Sequence, residues 1–115
     1  MNEKFWEVVA ALVETSEIKI DRPKGSSHPR YPTVIYPLDY GYLADTRSGD
    51  QGGIDLWIGS LEACRVTAIV CTVDLIKSDA EVKILLGCTE SEVQEILAFH
   101  NQGSQSGILF AREKP

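Results

Sequence analysis

Long apolar runs are missing from this 115-residue chain: no stretch approaches the ~20 residues of a membrane-spanning helix. The opening MNEKFWEVV is acidic and aromatic rather than basic and then apolar, so it does not read as a secretory leader. Cysteine is scarce. Cys64, Cys71 and Cys88 are an odd number without the paired spacing of metal ligands, and each sits in an apolar stretch. Buried free thiols in a reducing, cytoplasmic setting account for them. Basic charge is also short: 11 Lys and Arg stand against 17 Asp and Glu, a net charge of −6. That balance argues against duplex DNA and membrane surfaces as main partners. No repeat or linker divides the chain, so 1–115 reads as a single domain, and 43% apolar residues let it bury one core.

What is present reads as helix, strands, helix, strand. Residues 3 to 14 place Phe5, Trp6, Val8, Val9, Leu12 and Val13 on one broad helical face, with Asn2 at the cap position. Strands are expected over Glu17–Asp21, Thr33–Leu43, Ile54–Gly59, Arg65–Ile76 and Glu81–Leu86, where β-branched and aromatic residues concentrate. Residues 22 to 32, with three prolines and a glycine, read as a loop. Thr89 caps a helix from Glu90, and Glu92 stands three positions on in capping-box register. A loop over Gly103–Gly107 leads to a possible last strand, Ile108–Arg112. The pattern alone gives an α+β fold with a mostly antiparallel sheet.

The chemistry concentrates in YPLDYGYLADTRSGDQGGID, Tyr36 to Asp55. Asp50 and Asp55 stand five apart across Gly49, Gly52 and Gly53. Glycines let the backbone turn tightly enough for two carboxylates to converge. Converging carboxylates suit Mg²⁺, or Mn²⁺, which takes oxygen ligands and keeps several waters. An ordinary turn is the competing reading, because Asp and Gly are common turn residues.

The wider pattern resembles the soluble, magnesium-dependent family I inorganic pyrophosphatases. Three motifs recur in order: IDRPKGSSHPRYP (Ile20 to Pro32), the strand Tyr36-Pro37-Leu38-Asp39-Tyr40-Gly41-Tyr42, and the acidic loop holding Asp50 and Asp55. The resemblance runs from about residue 17 to residue 87. It implies a small closed, OB-like five-stranded β-barrel with an N-terminal and a C-terminal helix. It also implies metal contacts at Asp50, Asp55, Glu81, Asp74 and Asp21, and phosphate contacts at Arg30, Tyr40 and Lys83. The departures are as informative. The family's middle loop aspartate, which accepts a proton from the attacking water, falls on Gly52, and the glutamate after the Arg30-Tyr31 pair is Pro32. The segment Pro32–Val34 is shortened and loses a hairpin that carries a phosphate-binding arginine in the family. His100-Asn101 replaces a Tyr-Lys pair.

The expectation is therefore Mg²⁺-dependent hydrolysis of pyrophosphate or a related small phosphoanhydride. Turnover should be weak, since a missing general base costs ~10²–10⁴-fold. Asp39 or Asp45 is a candidate substitute acceptor, and Arg22, Lys24 and Arg47 are candidate replacement cations. His28 and His100 read as surface or packed residues rather than catalytic ones, having no acid–base partner by spacing. A small phosphate-containing ligand is the expected partner, and the resemblance allows a homo-oligomer. Three alternatives stand beside this reading. One is a non-catalytic phosphate- or nucleotide-binding module of the same fold. The second is a binder of single-stranded nucleic acid through the basic–aromatic set Arg22, Lys24, Arg30, Tyr31 and Tyr36. The third is an assembly protein using the first helix.

Overall fold

A stripe of apolar residues at helical spacing, Trp6, Val9, Ala10 and Val13, gives the first segment one face to bury. In the computed structural model, which describes residues 2–49, 52–62 and 65–113, that segment forms α1 (Glu3–Glu14). Its stripe packs on Leu43, Leu56, Val66, Ile84 and Leu86. The buried face is narrower than the sequence implies, because Phe5 and Val8 flank the stripe and stay exposed. Asn2 occupies the cap position, but its side chain makes no capping hydrogen bond.

Six strands follow: β1 (Ile18–Arg22), β2 (Asp39–Leu43), β3 (Ile54–Ile58), β4 (Val66–Asp74), β5 (Asp79–Leu86) and β6 (Gln105–Ala111). The second helix, α2 (Glu90–Phe99), lies between β5 and β6. The strands form one sheet in the order β1-β2-β3-β5-β4-β6, antiparallel throughout except for β3 beside β5. The α+β class and both helices match the sequence reading. The sheet differs from the expected five-stranded closed barrel in having a sixth strand and two free ends. β6 takes the outer edge of β4, so β1 and β6 terminate the ladder and the sheet stays open.

Alternation along the strands divides the sheet into two apolar faces. Leu56, Ile84 and Leu86 point to α1, while Trp57, Val70 and Leu85 point to α2, packing with Val93 and Ile96. Gly41 is required between β1 and β2, because a Cβ there would run into the Lys19 carbonyl. Strand β2 begins at Asp39, not Thr33. Pro32 and Pro37 cannot donate to a ladder, and residues 25–36 fold on themselves instead. Their backbone bonds include His28 N–H to the Val34 carbonyl at 2.8 Å and Tyr36 N–H to the Ser26 carbonyl at 3.0 Å. Conversely β6 starts earlier than expected, since the nine-residue β4 offers an edge along its length and pairs Asp74 with Gln105.

The capping box at α2 forms as read. Thr89 accepts from the Glu92 N–H, and Glu92 accepts from the Thr89 N–H at 2.8 Å. Glu92 also accepts from the Ser60 N–H at 3.1 Å, tying the helix to the loop after β3. Burial opposes the charge on Glu92, but these N–H donors outweigh it and hold its carboxyl below the usual range. Glu92→Ala should therefore cost more than a cap alone, about 2 kcal/mol in urea unfolding, against about 1 for Thr89→Ala.

Candidate functional site

Beyond the end of α2 the inner face of the sheet turns polar. Tyr40 and Tyr42 on β2 stand opposite Trp57 and Asp55 on β3. Alternation on β5 places Glu81 and Lys83 on the same face as Leu85. The result is a cluster from three strands centred on the Lys83 ammonium. Its Nζ donates to Asp55 Oδ2 at 2.7 Å, to Glu81 Oε1 at 2.5 Å and to Tyr40 Oη at 3.1 Å. The side chains of Lys83 and Glu81 are nearly sealed, at 9% and 2% exposure, and Asp55 remains accessible at 23%. Burial works against the Lys83 charge, but Tyr40, Asp55 and Glu81 outweigh it and raise its pKa. The Tyr40 phenol is pushed upward by burial, only partly offset by Lys83, so it is neutral at ordinary pH.

The sequence thus places Tyr40, Asp55, Glu81 and Lys83 in one site, and the structure brings them together. Asp50 lies outside the described residues. Asp74 sits at the far end of β4, where its Oδ1 accepts from the Ile76 and Lys77 N–H groups and the Ser104 hydroxyl. The Lys77 and Ser104 bonds hold its carboxyl below the usual range. Asp74 is a turn cap, two residues along β4 from Thr72, the partner of Glu81. Asp21 is exposed at the bulge in β1, between the Ile20–Gly41 and Arg22–Tyr40 pairs. Arg30 is exposed in the loop before β2, and its hydrogen bond runs from its backbone N–H to His28 Nδ1 at 3.0 Å. Asp39 caps the base of that loop, accepting from the Lys24 N–H at 2.8 Å. Gly52 is exposed, and its carbonyl accepts from the Ser48 N–H at 2.8 Å.

The donor chemistry is compatible with a hard divalent cation. Two carboxylates from different strands converge on a single atom, and Mg²⁺ commonly binds through one or two carboxylates and several waters. Among the described residues no group of three or more His, Cys, Asp or Glu stands close enough to enclose a metal. A cation here would share Asp55 and Glu81 with the Lys83 ammonium.

Sequence reasoning missed a second polar arrangement beside this site. His100, closing α2, is buried against Trp57 and Phe99. Trp57 Nε1–H donates to His100 Nε2 at 2.9 Å, and Nδ1 lies 2.7 Å from Gln105 Oε1. An indole only donates, so Nε2 is the acceptor and the proton sits on Nδ1. Burial lowers the His100 pKa to about 4. Asn101 is spent on structure: its amide binds the Leu97 and Gly107 carbonyls, and its oxygen accepts from Ser106 and the Gly107 N–H. Of the cysteines, Cys88 is buried and its thiol is pushed up to about 12 by burial and Glu92. Cys71 is half-buried. Cys64 lies outside the described residues.

A solved inorganic pyrophosphatase from Neisseria gonorrhoeae has a similar structure. The TM-score is 0.63 at 18% identity, and the match covers 77% of this chain and 77% of that one. No protein-family model matches the sequence, and neither does any curated protein. At this identity the likeness shows a shared fold, the α+β OB-like architecture of that pyrophosphatase. Among the described residues no helix is long and apolar enough to cross a membrane.

Two outcomes follow from the site's electrostatics. Lys83→Met leaves Glu81 buried without its counterion, and removing one partner of a buried pair costs about 3 kcal/mol. The double variant Lys83→Met/Glu81→Leu should recover most of that loss in chemical denaturation. For His100, the unfolded chain protonates near 6.5 and the folded chain only near 4. The unfolded state holds more protons between those values, so stability is complete above pH 6.5 and falls as pH drops toward 4, by about 3 kcal/mol in all. His100→Gln should flatten that slope, most visibly between pH 6.5 and 5, above the carboxylate range.

Proposed function

We propose that this chain is a divergent protein of the pyrophosphatase fold that binds and weakly hydrolyses pyrophosphate, or a related small phosphoanhydride, in the presence of Mg²⁺. One observation carries the reading. Tyr40, Asp55, Glu81 and Lys83, far apart in sequence, meet at one polar, partly open place on the sheet. Its charge gives the reading a direction. Two carboxylates against one ammonium leave the cluster net negative, so a free phosphate is repelled unless a cation accompanies it. Asp55 and Glu81, with Asp50, would hold Mg²⁺, which when bound neutralises phosphate oxygens and makes a coordinated water acidic.

The chain's own residues then have distinct tasks. Lys83 turns one of its N–H donors to a phosphate oxygen in a charge-assisted bond. Tyr40 offers its phenolic proton, which it keeps at ordinary pH because its pKa is raised. Gly52 has no side chain to take a proton from water, so a step that full enzymes assist is left to water and the surrounding charge. Weak turnover is the consequence.

Phosphate release from pyrophosphate, measured with and without Mg²⁺, tests this directly. Release should require the metal, and Gly52→Asp should raise it at least several-fold while staying below full enzymes. Lys83→Met should abolish it. Mg²⁺-dependent pyrophosphate binding without release would instead identify a binding module of the same fold. No binding and no release would overturn the reading.

A further inference from the structure

Between Asp21 and Asp39 the chain carries no acidic residue, although its net charge is −6. That stretch holds Arg22, Lys24, His28, Arg30, Tyr31 and Tyr36. Arg22 on β1 is the register partner of Tyr40 on β2, so its side chain leaves the same face of the sheet as the cluster. Burial raises the pKa of the Tyr36 phenol and Asp21 adds to the rise, while the neighbouring Arg22 guanidinium and, less strongly, Lys83 oppose it. Arg22 is thus the next cation along from Lys83. Aromatic rings leave the site by the same route. Tyr40 packs on Tyr36 with ring centroids 5.4 Å apart. Tyr36 lies nearly parallel to His28 at 6.3 Å, and His28 meets Tyr31 at 5.0 Å. Exposure rises along that ladder: Tyr36 is buried, His28 half-buried and Tyr31 58% exposed. Backbone bonds within the loop, including Val34 N–H to the Tyr31 carbonyl at 2.9 Å, hold the outer ring in place.

Pyrophosphate held by Lys83 and a metal has no use for a ring three contacts away, nor for cations beyond the cluster. We infer that the ligand of this site is a nucleoside triphosphate, its phosphates on Lys83, Arg22 and the metal and its base stacked on Tyr31. The inference rests on the phosphate-binding reading and names the ligand class that reading leaves open. Three features favour it. An exposed tyrosine backed by a histidine ring offers a flat π-face, and every base has one to match. Arg22 extends the cationic run past Lys83, which suits a third phosphate. Lys24 and Arg30 are exposed on the same loop and form no ion pair among the described residues, so their charge is available to a polyanion. A nucleic-acid strand would call for a longer basic groove with several stacking rings. Here one ring of the ladder is exposed, beside one small cluster, on an acidic chain. A mononucleotide is the better match.

Equilibrium titration with ATP and with inorganic tripolyphosphate, each in Mg²⁺, tests it, because the two share a triphosphate and differ in the nucleoside. ATP should bind at least about fivefold tighter, the low end for one stacked base. Tyr31→Ala should erase that preference, and Tyr31→Trp should keep it. Tripolyphosphate bound as tightly as ATP overturns the inference and leaves the phosphate reading standing. So does a preference for ATP that survives Tyr31→Ala. If neither tripolyphosphate nor pyrophosphate binds, the phosphate reading itself fails and this inference fails with it. A single-stranded oligonucleotide that binds without Mg²⁺ and is not displaced by pyrophosphate also overturns it, making the loop a nucleic-acid surface.

Discussion

The Lys83 ammonium is the interaction on which the inner face depends. Asp55 and Glu81 stand on neighbouring strands, and like charges brought this close on a nearly sealed surface repel strongly. Lys83 removes that cost by reaching both carboxylates and a phenol oxygen from a single atom. The same ion pair bridges β3 and β5, the parallel pair of the sheet, where evenly spaced, slanted hydrogen bonds are slightly weaker per residue than in antiparallel ladders. Structure and chemistry therefore draw on the same groups. A cation or phosphate entering the site must exchange contacts with Lys83, not fill an empty space.

Around this cluster the boundary between dry core and polar site is narrow. Tyr40 lies 4.6 Å from Trp57 by ring centroids, and Tyr36, Trp57 and Phe99 continue the aromatic packing toward α2. His100 extends that packing because it is neutral. Its two nitrogens are satisfied by Trp57 and Gln105, so a polar ring sits in the core without carrying charge. Tyr40 belongs to both sides, its ring in the aromatic layer and its oxygen on Lys83. A rigid apolar layer thus holds the polar groups, which is how a site keeps its geometry when its own charges strain it.

Much of this was legible from residue order. α1 and the α2 capping box were readable because helix signals are local, a stripe at 3.6 spacing and a Thr-x-x-Glu at the first turn. Glu81 and Lys83 were readable through the resemblance, and the strand then sets both on one face because residues two apart share it. The remainder was set by partners distant in sequence. The turn bonds of Asp74, from the Ile76 and Lys77 N–H groups and from Ser104 thirty positions away, leave no mark in spacing. Strand β2 was over-extended because aromatic content outweighed Pro37, which cannot donate to its ladder. β6 was under-extended because Gly103 and Gly107 signalled a loop, while β4 supplied an edge that overrode them. The Trp57–His100 bond spans 43 positions and leaves no mark in spacing.

The inner face shows which change the architecture would resist. Tyr40, Asp55, Glu81 and Lys83 meet there in one cluster. Losing Lys83 would leave buried charge behind, so burial alone is reason enough for the cluster to hold together, and its presence supports architecture before it supports catalysis.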